Sequence, residues 1–68
     1  MVNVARLVPH VSWVEELGSD GQPTGVRGLV VAVDVANEVF NIRLSLSPPK
    51  IRVRCRQDQY VEIHPVRQ

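Results

Sequence analysis

A single cysteine, Cys55, serves the whole 68-residue chain, so no disulfide can form within it. Zinc is no easier to place. A structural zinc site wants about four close ligands. The Cys/His set comprises only Cys55, His10 and His64, with no short-spaced pair. Aromatic rings are equally few: Trp13, Phe40 and Tyr60. Three scattered rings argue against a base-stacking platform for single strands and against an aromatic cage for methylated lysine. Long apolar runs are missing too. The longest, Leu29 to Val33, stops at Asp34, far short of the ~20 residues that span a bilayer. The opening Met1-Val2-Asn3-Val4-Ala5-Arg6 lacks the charged start, apolar stretch and cleavage site of a secretory signal. With the lone thiol, these absences predict a soluble intracellular protein, cytoplasmic or nuclear, without a membrane partner.

Catalytic constellations are also lacking. There is no phosphate loop, metal motif or nucleophile elbow. Glu15 and Glu16 are adjacent, so on a strand they point apart and make a poor acid/base pair. Cys55 has no histidine placed in sequence to act as its base. The expectation is a protein that is not an enzyme, with no cofactor, metal or small-molecule substrate.

What is present suits one small domain over residues 1–68. The closing Pro65-Val66-Arg67-Gln68 carries no clear stop signal, which leaves room for a longer protein of which this is a fragment. A domain of this size buries only about 60% of its unfolded surface, so its stability is marginal. Valine is abundant and alanine scarce, and β-branched residues favour strands over helices. Asn3 to Val8 is apolar-rich up to Pro9 and reads as an N-terminal strand. His10 to Leu17 alternates in part, with a short amphipathic helix as the competing reading. Gly18 to Gly25 is a loop rich in glycine, proline and polar residues. Leu29 to Val33 reads as a strand buried on both faces, or as one strongly bent with both faces partly covered. Asp34 to Glu38 turns. Val39 to Ser47 then alternates, placing Phe40, Ile42, Leu44 and Leu46 inward. After Pro48-Pro49, Lys50 to Arg56 alternates again, placing Ile51, Val53 and Cys55 inward. Gln57 to Gln59 turns, and Tyr60 to Ile63 closes before Pro65, with Tyr60 near the rim. Phe40 reads as core. Trp13 is either core or an exposed anchor. About five short strands with little room for a helix predict an all-β fold, a small five-stranded barrel whose closure removes exposed edges.

Gly25-Val26-Arg27-Gly28-Leu29-Val30-Val31-Ala32-Val33-Asp34 resembles the KOW motif of SH3-like barrels, in which glycines and valines at these spacings begin a bent strand. The alternating Phe40, Ile42 and Leu44, the strand Ile51-Arg52-Val53-Arg54 and the closing Tyr60-Val61-Glu62-Ile63 extend the resemblance over residues 25–63. It implies an SH3-like barrel of KOW or Tudor type. Such domains bind RNA, ribosomes, transcription machinery or other proteins.

The charge is uneven. Residues 1–38 hold two cations against five anions, and residues 39–68 hold six cations against two anions. Period-two alternation puts Lys50, Arg52, Arg54 and Arg56 on one outward face, joined by Arg43 if its strand pairs with theirs. Arginine suits phosphate and carboxylate because its planar fork donates two parallel hydrogen bonds. The bland alternative is a solvated face partly neutralised by Glu38 or Glu62, with arginine guarding a sheet edge. The leading expectation is a non-catalytic module docking on a protein partner within a larger assembly, the 18–25 loop and the 34–38 turn flanking its groove. RNA or DNA binding through the five cations is one alternative, tempered by a sequence pI of only about 8.0. A structural homo-oligomer pairing edge strands is the other.

Overall fold

In the computed structural model, residues 2–63 are described; His64 and Pro65 lie outside them. The fold is all-β. Five antiparallel strands, β1 (Trp13–Leu17), β2 (Pro23–Asp34), β3 (Val39–Leu44), β4 (Lys50–Arg56) and β5 (Tyr60–Ile63), form one sheet in the order β4-β3-β2-β1-β5. The described residues include no α-helix, and so no helix long and apolar enough to cross a membrane. β4 and β5 are the two edges, and no backbone pairing joins them among the described residues. The domain nevertheless measures 30 × 28 × 27 Å. A flat sheet would be thin in one direction, so this one is strongly curled.

The curl has a local cause. β3 is the regular spine, burying Phe40, Ile42 and Leu44. Both its neighbours bulge opposite Asn41. On β2, Val30 faces Ile42 and Ala32 faces Asn41, which leaves Val31 extra. On β4, Arg52 faces Ile42 and Cys55 faces Phe40, so two residues, Val53 and Arg54, stand opposite Asn41 alone. A bulge bends its strand and increases the local twist. The β2 bulge explains the unbroken apolar run Leu29 to Val33: Val30 is buried and Val33 partly buried against the core, while Ala32 pairs outward. The run marks a bent strand rather than one buried on both faces.

The two glycines of the 25–28 stretch have separate reasons. Gly25 has φ +90 in open space, a conformation that L side chains rarely adopt. Gly28 is buried, and a Cβ there would lie 2.9 Å from Ile42 Cδ1 and 3.2 Å from the Arg43 carbonyl oxygen. The β1–β2 hairpin closes by Leu17 pairing with Pro23, so the expected 18–25 loop is shorter. The 35–38 turn lies at the far end of β2.

The N-terminal segment is not a strand. Val4–Arg6 forms a 3₁₀ turn capped by Asn3, whose side-chain oxygen accepts from the Ala5 amide at 3.1 Å. The turn delivers Val2, Val4 and Leu7 to the core beside Val14, Val30, Phe40, Ile42, Leu44, Cys55 and Tyr60. The Val2 amide donates to the Gln57 carbonyl at 3.1 Å, which ties the chain start to the 3₁₀ turn Gln57–Gln59. Buried Ser12 is satisfied, its hydroxyl accepting from the Val8 amide at 2.8 Å. Tyr60 is buried rather than at the rim. Its ring meets Phe40 edge-on at 5.4 Å and 74°, a favourable aromatic geometry. Leu46, expected inward, lies beyond the end of β3 and is exposed.

Candidate functional site

The five cations expected on one face are dispersed by the β4 bulge. Before it, the inward register falls on Lys50 and Arg52, opposite Leu44 and Ile42; after it, on Cys55, opposite Phe40. One extra residue exchanges the faces of a strand. Ile51 and Val53 therefore point outward, 56% and 61% exposed, and the expectation that they are core is wrong. Cys55 remains buried, as its alternation with them suggested, but only because the bulge intervenes.

Arg52 is turned under the curl. Its Nη1 donates to Glu16 Oε2 on β1 at 2.8 Å and to the Tyr60 hydroxyl on β5 at 3.0 Å. Those strands are not its neighbours in the sheet, so one side chain joins the two edges that backbone pairing leaves apart. The hydrogen bond to Tyr60, together with the Glu16 charge, pushes the Arg52 pKa upward. Burial pushes both the Cys55 thiol and the Tyr60 phenol up. The Cys55 thiol lies 3.6 Å from the Arg52 carbonyl oxygen and donates toward it. A protonated, buried thiol is a weak nucleophile. Among the described residues no three His, Cys, Asp or Glu side chains gather as a metal set.

The remaining cations have different surroundings. Arg54 sits in the bulge at φ +54, its amide donating to Asn41 Oδ1 at 3.0 Å. Arg56 faces outward and pairs with Asp58 at 3.5 Å. Arg54 and Arg56 line one cleft of about 490 Å³, but Glu38 and Asp58 line it too, so its charge is mixed. Glu38 accepts from Gln57 Nε2 at 2.7 Å; Arg52 and Arg56 are paired with Glu16 and Asp58 rather than with Glu38 or Glu62. Asp34 serves the turn: bonds from the Asn37 side chain and amide hold its carboxyl below the usual range. Glu15 and Glu16 point apart, Glu15 to Arg27 and the Gly25 amide, Glu16 to Arg52. Arg43 and Lys50 are exposed and make no salt bridge with the described residues.

The bulge assembles a different surface. Cross-strand pairing sets Leu29, Arg43 and Ile51 in one row over the outer face of β2, β3 and β4. Ala32, Asn41 and Val53 line one shallow concavity beside it, which Asp34 and Arg54 also line. A polar strip on β3 is thus flanked by apolar side chains from both neighbours. From Leu29 the row continues to half-buried Trp13 and Ile63, so Trp13 is neither core nor a free anchor. Reading by alternation misses Ile51 and Val53 in this surface. No glycine or other residue in Lys50 to Arg56 marks the bulge, and Glu16, the partner that draws Arg52 inward, is distant in sequence.

Comparison with protein-family models, with curated proteins and with solved structures finds no match to this chain.

Proposed function

We propose that this chain is a small SH3-like barrel, its seam between β4 and β5 closed by the Arg52 side chain, that works as a non-catalytic module docking on a protein partner through the outer face of β2, β3 and β4. One observation carries the reading: Ile51 and Val53, on an edge strand, are exposed side by side rather than buried. Apolar side chains in that position gain by being covered, at roughly 25 cal/mol per Å². A closely spaced apolar group rimmed by polar residues is the usual signature of a protein interface. The same geometry weakens the nucleic-acid reading. Of five cations, Arg52 and Arg56 are paired and Arg54 shares its cleft with two carboxylates. A phosphate backbone would engage about three, giving a log–log salt slope no steeper than about −3.

The test compares the full chain with the Ile51→Lys, Val53→Lys double variant as affinity baits, folding being verified by circular dichroism. The reading expects a protein retained by the wild type, insensitive to nuclease and lost with the variant. Retention that survives both lysines, or that nuclease abolishes, contradicts it.

A further inference from the structure

Resting on that reading of the outer face, we infer that its partner is an extended acidic-apolar peptide segment, which seats a carboxylate on Arg43 and apolar side chains against Leu29 and Ala32 on one side and Ile51 and Val53 on the other. Charge singles out Arg43. Of the arginines on β2, β3 and β4, Arg27, Arg52 and Arg56 each have a carboxylate within 3.5 Å, whereas Arg43 and Arg54 have none among the described residues, and Arg54 shares its cleft with Glu38 and Asp58. Arg43 lies mid-row, directly opposite both Leu29 and Ile51. Covering the apolar flanks would therefore cover the guanidinium too. A buried, unpaired charge is strongly unfavourable, so whatever covers these flanks must bring an anion to Arg43. The flat guanidinium fork matches a carboxylate with two parallel hydrogen bonds.

Geometry then suits an extended chain. A strand advances about 3.3 Å per residue and neighbouring strands lie about 4.8 Å apart, so about three extended residues cover the roughly 9.5 Å from β2 across β3 to β4. A second copy of this chain is a poor occupant. A two-fold contact centred on Arg43 would set the two Arg43 side chains against each other, while Glu15 already serves Arg27 and the Gly25 amide and Asp34 already serves Asn37.

The experiment pans a phage library of random 12-residue linear peptides on the immobilised full-length chain. The best peptide is then synthesised and titrated against wild type, Arg43→Glu, and the Ile51→Lys, Val53→Lys variant. The inference expects enriched sequences with Asp or Glu between apolar residues. It expects affinity to fall at least tenfold with Arg43→Glu and to return when the peptide's acidic residue is exchanged for lysine. Peptides without an acidic residue whose binding the two lysines abolish would overturn this inference while leaving protein docking at the face intact. Peptides indifferent to the two lysines would overturn both. Absence of enrichment overturns the peptide inference, as does a dimer in sedimentation that Ile51→Lys dissociates. Tighter binding of a 20-nucleotide RNA than of any peptide at 150 mM salt would overturn it in favour of nucleic acid.

Discussion

Strands β3 and β4 look alike in sequence and behave differently in the fold. β3 alternates apolar and polar residues from Phe40 to Leu44, and β4 does so throughout. In β3 the alternation holds phase, and Phe40, Ile42 and Leu44 all reach the core. In β4 it breaks once, at Val53 and Arg54, so that only Cys55 of its apolar residues is buried. The difference lies in what each strand must contact. β3 is central and keeps its register while both neighbours bulge against it. β4 is in addition an edge, paired on one side only, and its bulge brings Arg52 to Glu16 and Tyr60. Alternation gives a strand its two faces, but the bulges decide which face is which.

The largest effect expected from this contrast is on stability. Phe40→Ala removes the ring that packs on Tyr60 and should destabilise by about 3–5 kcal/mol, enough to unfold most of a domain this small. Ile51→Ala and Val53→Ala, apolar truncations on the neighbouring strand, should each change stability by less than about 1 kcal/mol. Urea unfolding followed by circular dichroism separates the two strands.

Next come the arginines of β4 itself. Arg52→Ala leaves Glu16 and the Tyr60 hydroxyl without their shared donor. The expected loss is about 1–2 kcal/mol, discounted because both charged groups remain partly exposed. A double-mutant cycle with Glu16→Gln should show coupling near 0.5–1 kcal/mol. Arg56→Ala, which breaks only an exposed pair, should change stability by about 0.5 kcal/mol or less.

A smaller effect probes the bulge. Arg54→Val puts a β-branched side chain at φ +54, a conformation such residues strongly resist, and should cost about 1 kcal/mol or somewhat more although the residue is exposed. Asn41→Ala, which removes the acceptor for the Arg54 amide, should cost about 1 kcal/mol by the same assay.

The smallest effect is in pH. Folding raises the pKa of both Cys55 and Tyr60 by burying them. Their protonated forms therefore add stability below the unfolded-state values, about 8.5 for a thiol and 10 for a phenol. That contribution declines as pH rises above each unfolded value and is gone once the folded pKa is passed. Stability should start to fall above about pH 8.5, and Cys55→Ala should delay the onset towards pH 10. Asp34 works in the opposite direction. Its lowered pKa stabilises the fold above about pH 4, and that contribution is lost as pH falls through the folded value.

The contrast also marks how far the residues alone can be read. Strand composition and the turns at 35–38 and 57–59 are visible because valine, asparagine and aspartate act locally. The burial of Phe40 is visible because its inward register holds, whereas that of Cys55 agrees with its alternation only because the bulge shifts the phase. The 3₁₀ turn at Val4–Arg6 is not, because an apolar segment next to a proline suits a strand equally well until its contacts are known. The site is legible only in part. Arg43 is exposed as its alternation suggests. The fate of Arg52, and with it the exposure of Ile51 and Val53, depends on Glu16 and Tyr60, which only the tertiary fold brings near. No local propensity encodes that choice, since arginine has no preference for positive φ.

The phase reversal of β4 underlies both the seam and the docking face, and one measurement tests it directly. In a nuclear Overhauser spectrum of the labelled chain, the Arg52 side chain should show contacts to the Tyr60 ring, and the Ile51 and Val53 methyl groups should show none to Phe40 or Tyr60. Methyl contacts from Ile51 and Val53 to those rings, with Arg52 showing none, would place β4 in unbroken alternation and contradict the account.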